Sequence, residues 1–139
     1  IASATTSLAG AIEHATDAEI RAATTGNFAV TAATIETAAA LVALSDAATV
    51  TVDWDSAINF SLTIAGNRTL GNPSNGQPGT TRTVRVQGSD GTDRTLSFDS
   101  QYVGSDLTLV TDIDSTKRYL VSIYCETTSI FWASYLPSS

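Results

Sequence analysis

The spacing of apolar residues changes along the chain, from a helical spacing within residues 1–45 to strict alternation after Ala48. The sequence Thr-x-x-Glu at 16–19 is typical of a helix capping box and predicts a helix over residues 17–23. We expect this helix to end in the stretch 24–27, because its Gly and Asn accept the left-handed backbone that closes a helix. Residues 28–30 should then be extended.

A second helix is predicted over residues 32–44, with Thr31 as its cap. Spacings of three and four place four apolar residues on one face of this helix, namely Ile35, Ala38, Leu41 and Val42. The face is narrow and partly made of Ala, so it buries little area by itself. We therefore expect the Ala-rich helical segment 1–45 to serve attachment or oligomerisation, by packing on a partner surface or a partner subunit.

From Ala48 onward apolar and polar residues alternate, beginning with Val50, Val52 and Trp54 on one side of a strand. Residues 60–64 repeat the pattern, and Gly66-Asn67 then supplies a hairpin-like turn. Further strands are predicted at 80–87, 94–98, 107–110, 118–125 and 129–136. These short strands, separated by Gly, Asn and Pro turns, predict a mainly β protein in which residues 46–139 form an antiparallel β-sandwich or jelly-roll-like domain behind a short α-helical N-terminal segment.

The last predicted strand is apolar on both faces. Ile130, Trp132 and Leu136 point to one side, and Phe131, Ala133 and Tyr135 point to the other. Such a strand needs a cover on its second face, which either the N-terminal helices or a neighbouring copy could provide. The candidate oligomer interface drawn from both halves of the chain comprises Ile35, Leu41, Val42, Ile130, Phe131, Trp132 and Tyr135.

A second candidate contact surface is the stretch 72–79, which is rich in turn-forming residues. We expect it to be an exposed loop that can vary without disturbing the core. Its candidate recognition residues are Asn72, Ser74, Asn75 and Gln77.

Charge excludes some classes of partner. The net charge is −7 and only 15% of residues are charged, so a phosphate backbone or an anionic bilayer would repel the chain. The five arginines in the second half of the chain are interleaved with acids and indicate a solvated face rather than a nucleic-acid site. No apolar run reaches the ~18 residues typical of a membrane span. We expect neither nucleic-acid binding nor membrane insertion, and we expect the single Cys125 to be a small buried residue.

Catalytic, cofactor and metal sites are not indicated. The one histidine, His14, is far in sequence from any candidate nucleophile, and no phosphate-binding Gly loop or paired Cys/His spacing occurs. Three aspartate pairs suggest glycoside hydrolysis or calcium binding: Asp53/Asp55, Asp90/Asp93 and Asp112/Asp114. Each pair has a simpler explanation, since Asp53 and Asp55 should flank Trp54 on the outward face of a strand and the other two pairs should cap turns. The aromatic residues could form a sugar-stacking platform, although core packing accounts for most of them.

Residues 15–23, Ala-Thr-Asp-Ala-Glu-Ile-Arg-Ala-Ala, and the later Ala29-Val30-Thr31 resemble a segment that recurs in tail-fibre proteins of tailed phages and prophages. In that family Ala-Thr/Ser-x-Ala-Glu is followed by a Gly-containing turn and by Ala-Val-Thr-Pro, which opens another helix. Ala32 stands here in the place of that Pro. Pro at the first helical turn only presets the backbone angle, so the pattern keeps its physical logic.

Residues 62–73, together with Gly79, 94–98 and the terminal Ile130-Phe131-Trp132, are similar to a β domain of many phage and gene-transfer-particle virion proteins. This resemblance implies a homotrimeric, non-enzymatic component of the virion surface that is assembled in the bacterial host cytoplasm and contacts other virion proteins of the capsid or tail. A trimeric fibre or spike that contacts the host is the leading hypothesis. A capsid decoration (cement) protein and a module that binds host-surface glycans are the alternatives.

Overall fold

The computed structural model of the chain describes residues 13–23, 28–104, 107 and 110–137. Its N-terminal part contains two short helices, α1 at Asp17–Ala22 and α2 at Ala32–Ala38, which pack on each other. Two short strands, β1 at Glu13–His14 and β2 at Phe28–Ala29, pair in parallel beside them. Within the described residues neither helix is long and apolar enough to cross a membrane.

The predicted helix starts are confirmed. The Thr16 hydroxyl accepts a hydrogen bond from the Glu19 amide at 3.3 Å, and the Glu19 carboxylate accepts one from the Thr16 amide at 2.8 Å. Thr31 caps α2 in the same way, accepting from the Thr34 amide at 3.1 Å. Helix α1 is closed by Ala23, which takes the left-handed conformation at φ 49°. The predicted terminator at 24–27 lies outside the described residues.

The second helix is shorter than predicted, and its predicted C-terminal half is a strand. Helix α2 ends at Ala38, and residues Leu41–Leu44 form β3, which pairs in parallel with a later strand. The sequence Leu-Val-Ala-Leu fits the spacing of a helix and that of a strand equally well. Pairing with a neighbouring strand decides between them, because a difference in intrinsic propensity is small beside a full set of ladder hydrogen bonds.

The β domain consists of two sheets facing each other. The larger sheet has the order β3–β5–β7–β11–β12–β9, and the smaller sheet has the order β10–β8–β6–β4. The remaining strands are β4 (Thr49–Asp53), β5 (Asn59–Ile64), β6 (Arg68–Ser74), β7 (Thr81–Gly88), β8 (Arg94–Phe98), β9 (Tyr102–Val103), β10 (Val110–Ile113), β11 (Arg118–Thr127) and β12 (Ile130–Pro137).

The chain winds through the two sheets instead of folding back in hairpins. Strands β3 to β8 alternate between the larger and the smaller sheet, and each pairs in parallel with the strand two places along the chain. The result is three stacked coils, closed at the far end by the antiparallel strands β7, β11 and β12. The mainly β sandwich is therefore confirmed, but the prediction of antiparallel pairing throughout is wrong. The turn at Gly66-Asn67 carries the chain from one sheet to the other.

The core lies between the two sheets and contains inward side chains from both. The largest residues in it are Trp54, Phe60 and Phe131, none of which is exposed. The Phe131 ring lies 5.2 Å from the Trp54 ring and 6.3 Å from the Tyr102 ring, measured between centroids. Cys125 is buried in the same cluster, as predicted. This packing accounts for the alternation of apolar residues in β4, β5, β7, β11 and β12.

Candidate functional site

A buried arginine joins the N-terminal segment to the β domain. Arg82 of β7 is 5% exposed, and its guanidinium donates to the Trp54 carbonyl at 3.0 and 3.3 Å and to the Arg21 carbonyl at 3.2 Å. It also lies 5.3 Å from the centroid of the Trp54 ring, a cation–π distance. Burial lowers the pKa of Arg82, and the nearby Asp55 carboxylate partly offsets this shift. Arg82 thus contacts the last turn of α1 and the end of β4 with a single side chain.

The prediction that the arginines lie on a solvated face is wrong for Arg82. The alternation itself indicates the correct place, since Arg82, Val84 and Val86 share one side of β7, and both valines are in the core. A charged residue in phase with core residues is an unusual pattern that points to a specific buried role. Arg85, which lies on the other side of the same strand, is exposed as predicted.

The first apolar surface is formed by the open edge of the winding. Strand β3 is the edge strand of the larger sheet, and its side chains Leu41 and Val42 are 53% and 36% exposed. Ile35, on the preceding helix α2, is 55% exposed. We call these three residues and the free edge of β3 the β3 edge. It contains the predicted interface residues from the N-terminal half of the chain.

The second apolar surface lies on the solvent-facing side of β11 and β12. Three directly opposed pairs follow one another along this hairpin, Tyr124 with Trp132, Ser122 with Ser134, and Leu120 with Leu136. The aromatic and leucine side chains of these pairs are between 43% and 69% exposed. The predicted division of the last strand is therefore confirmed, and the described part of the N-terminal segment does not cover its outer face.

Two residues of the predicted interface do not lie on either surface. Phe131 is fully buried between the sheets, and Tyr135 points to the same side and packs edge-on against Tyr119 at 6.0 Å between ring centroids. The assignment of Phe131 to an oligomer contact is wrong, because an inward residue of a sandwich strand already has its neighbours in the opposite sheet. Tyr135 is only half-buried, and its oligomer contact stays a prediction. Ile130 and Trp132 face solvent and remain available for contact.

An open groove of about 370 Å³ runs beside the opposed aromatic pair. It is lined by Gly104, Ser122, Tyr124, Trp132, Ala133 and Ser134. We call it the aromatic groove. The Trp132 indole N–H donates to the Glu126 carboxylate, which fixes one edge of the ring, and the residue is 51% exposed. A side chain at Gly104 would lie 2.5 Å from the Ala133 carbonyl oxygen, so glycine is needed for the chain to approach β12 there.

The predicted exposed loop is largely part of the scaffold. Asn72 and Ser74 lie on β6 and are half-buried, while Asn75 is exposed with a left-handed φ of 54°. The half-buried Gln77 donates to the Asp55 carboxylate at 3.2 Å. A methyl group added at Gly76 would lie 2.6 Å from the Phe131 ring, so this stretch cannot vary freely. Only Asn75 among the four predicted recognition residues fits an exposed turn.

Each of the three aspartate pairs contains a residue that caps a turn, as predicted for Asp90/Asp93 and Asp112/Asp114. For Asp53 and Asp55 the sequence predicts only an outward-facing position on a strand. Asp53 accepts a hydrogen bond from the Asp55 amide at 3.1 Å and another from the Asn75 side chain at 2.9 Å. Asp90 accepts from the Thr92 amide at 2.9 Å, and this bond lowers the pKa of Asp90. These carboxylates are engaged in local structure.

The third pair, Asp112 and Asp114, belongs to a polar network at the start of β11. The Asp112 carboxylate accepts from the Lys117 ammonium at 2.5 Å and from the Tyr119 phenol at 2.6 Å. These hydrogen bonds lower the pKa of Asp112, while burial and then the bond to Asp112 raise the pKa of Tyr119 to about 12. Asp114 caps the following turn by accepting from the Thr116 amide at 2.7 Å. No group of three side chains suited to metal binding occurs within the described ranges.

Two exposed apolar surfaces of the described residues are therefore candidates for binding, the β3 edge and the aromatic groove. The chain was also compared with models of protein families, with curated proteins and with solved structures, and none of them matches it.

Proposed function

We propose that this chain is a non-enzymatic structural module of a tailed-phage or phage-like particle, which self-associates as a trimer at its N-terminal side and projects its β domain outward from the particle surface. The phage assignment is supported by the sequence resemblances at 15–31 and 62–73. The observation that carries the self-association is the β3 edge, which no strand of the described part of the chain covers.

An open edge strand is the least satisfied part of a sheet. Among the described residues no strand lies beside the outer backbone N–H and C=O groups of β3, and the exposed Leu41 and Val42 add apolar area there. Wound folds require a cap on the terminal coil for the same reason. A second copy or a particle protein seated on Leu41, Val42 and Ile35 would provide that cap.

The non-enzymatic part of the proposal is supported by the state of the carboxylates. Asp53, Asp90 and Asp114 accept hydrogen bonds from backbone amides of their own turns. An acid or base in glycoside hydrolysis needs instead a carboxyl group directed at a substrate site, with a second carboxyl group at a matching distance across it.

Sedimentation of the chain of residues 1–139 tests the self-association. We expect the wild type to sediment with three times the mass of one chain at micromolar concentration. Leu41→Asp should shift it to monomers, because a charge at the centre of an apolar contact is left without a partner when the contact forms.

Leu136→Asp is the matched control, since Leu136 is an exposed leucine on the opposite part of the larger sheet. It should leave the oligomer intact. A wild-type chain that sediments only as a monomer, or an oligomer that Leu136→Asp disrupts and Leu41→Asp does not, would contradict the assignment to the β3 edge. A reconstruction of the particle would then show whether the module sits on the tail as a fibre or on the head as a spike or a decoration.

A further inference from the structure

We infer that the aromatic groove binds a neutral saccharide by stacking one face of a pyranose ring on Trp132 while the Ser122 and Ser134 hydroxyls bond the sugar hydroxyls. This function goes beyond the structural role proposed above and does not depend on it. It rests on the exposure, shape and charge of the groove.

Exposure distinguishes Trp132 from the other large aromatic residues of the domain. Trp54 and Phe131 are fully buried and form the core, whereas Trp132 is 51% exposed and Tyr124, directly opposite it, is 43% exposed. A half-exposed aromatic ring keeps apolar area in contact with water, and burying that area against a ligand would be favourable. An aromatic pair held on a rigid hairpin and left facing water is therefore an unfilled contact surface.

Polar groups lie next to the rings, at the neighbouring position on the same face of the two strands. Ser122 and Ser134 oppose each other two residues along from the aromatic pair, on the same face of the hairpin. Both line the groove, and Ser122 is half-buried while Ser134 is exposed, so their hydroxyls are open to a ligand. A small-ligand site combines apolar walls with a few such orienting groups, and a volume of about 370 Å³ is at the lower end of the usual range.

This combination matches the chemistry of a pyranose ring. One face of such a ring presents a row of C–H groups, whose slight positive charge suits the negative face of an indole. Its edge presents hydroxyl groups that both donate and accept, as do the two serines. A lipid tail would leave the serines unpaired, and a second protein copy would need to fill a concave groove that is bordered by hydroxyls.

Charge indicates that the sugar is neutral. None of the six lining residues carries a charge, and the charged group bonded to Trp132 is the Glu126 carboxylate. With a net charge of −7 on the chain, an acidic sugar would meet repulsion at the groove and from the molecule as a whole.

Tryptophan fluorescence of the chain of residues 1–139 tests the inference, because the chain has two tryptophans and only Trp132 is exposed to ligand. The probes are the methyl glycosides of glucose, galactose, mannose and N-acetylglucosamine, with sialyllactose as the acidic comparison. We expect at least one neutral glycoside to shift the emission saturably, with a Kd on the order of millimolar.

Trp132→Ala removes the fluorescent reporter together with the stacking surface, so binding to this variant is followed by calorimetry, and we expect it to be abolished. Tyr124→Ala should weaken binding about tenfold. Leu136→Ala is the control, since Leu136 is exposed on the same face of β12 but does not line the groove, and its Kd should stay within about twofold. Both aromatic residues are exposed, so these variants should fold.

Three results would overturn the inference. The first is no saturable response to any neutral glycoside up to about 50 mM, a range that covers even weak sites. The second is tighter binding of sialyllactose than of every neutral probe. The third is dissociation of the oligomer by Trp132→Ala, which would show that a second copy occupies the groove. The sedimentation of Leu41→Asp is read separately, so failure of the saccharide site and failure of the β3 edge are distinguishable.

Discussion

Arg82 offers the sharpest test of how the N-terminal segment is held to the β domain. The variant Arg82→Ala removes the donors to the Trp54 and Arg21 carbonyls in one step, together with the contact over the Trp54 ring. Of these acceptors, one belongs to α1 and the other follows β4. We therefore expect both a loss of global stability and a loosening of the N-terminal segment.

The size of the effect follows from the groups left behind. Each of the two carbonyls left without its donor costs about 1–3 kcal/mol, and the lost cation–π contact adds about 0.5–1 kcal/mol. The variant also no longer has to bury a charged guanidinium, whose desolvation is the main reason why the pKa of Arg82 is lowered. The two effects oppose each other, and we expect a net loss of about 2–3 kcal/mol in the free energy of unfolding.

Urea denaturation measures this loss directly. With a slope of about 1–3 kcal/mol per molar urea, the midpoint should fall by about 1–2 M. Arg85→Ala is the control, because Arg85 lies on the same strand and faces solvent, and it should change stability by less than about 0.5 kcal/mol. Equal losses for the two variants, or a loss below about 0.5 kcal/mol for Arg82→Ala, would refute the assignment of Arg82 as a structural link. Trypsin cleavage after Arg21 should also become faster in Arg82→Ala alone.

Two further predictions concern packing and pH. Gly76→Ala should lower the free energy of unfolding by about 1–3 kcal/mol in urea, because the added methyl group meets the Phe131 ring at 2.6 Å, while Gly91→Ala, with nothing within 4 Å, should change it by less than about 0.5 kcal/mol. Hydrogen bonds from neighbouring groups hold the pKa of Asp46 and Asp114 below the ordinary value of 3.8. The contribution of these two carboxylates to stability is present above pH 3.8 and is lost as the pH falls through the lowered pKa. The urea midpoint should therefore stay constant from pH 7 to about 5 and fall at lower pH. An increase in stability on acidification would contradict this reasoning.

Features that depend on neighbours within a few residues could be predicted from the sequence. The cap at Thr16 requires only Glu19, and the cap at Thr31 requires only the next turn of helix. Strand alternation is equally local, because the polarity of each side chain indicates whether it faces the core or the solvent. The positions of Val50, Val52 and Phe60 in the core were predictable for that reason.

Strand pairing could not be predicted in the same way, because it depends on partners far along the chain. Gly66-Asn67 satisfies the local pattern of a hairpin, yet β5 pairs with β3 and β7, and β6 pairs with β4 and β8. The prediction that a loop begins at Asn72 failed for a related reason, since Asn72 and Pro73 lie inside β6. Opposite these residues, the pairing register shifts between Thr51 and Asp53, and such a bulge accommodates a proline inside a strand.

The arrangement of the larger sheet leads to a final prediction, that self-association and saccharide binding are independent. The β3 edge and the aromatic groove are separated by β5, β7 and β11. Neighbouring strands lie about 4.8 Å apart, so β3 and β12 are about 19 Å apart, and a subunit seated on the edge would leave the groove open. Leu41→Asp should therefore leave the Kd for a monomeric methyl glycoside unchanged within about twofold, because no coupling free energy joins the two sites.

Avidity on a surface that displays many copies of the same sugar should depend on the oligomer, since linked sites raise the effective concentration of the second binding event. Leu41→Asp should thus weaken binding to a glycan-coated surface by at least about tenfold while the solution Kd stays constant. Surface plasmon resonance against immobilised glycan, paired with calorimetry on the free glycoside, separates the two quantities. If the solution Kd of the monomeric variant weakens in parallel with surface binding, the groove is completed by the neighbouring subunit, and the two surfaces form one site.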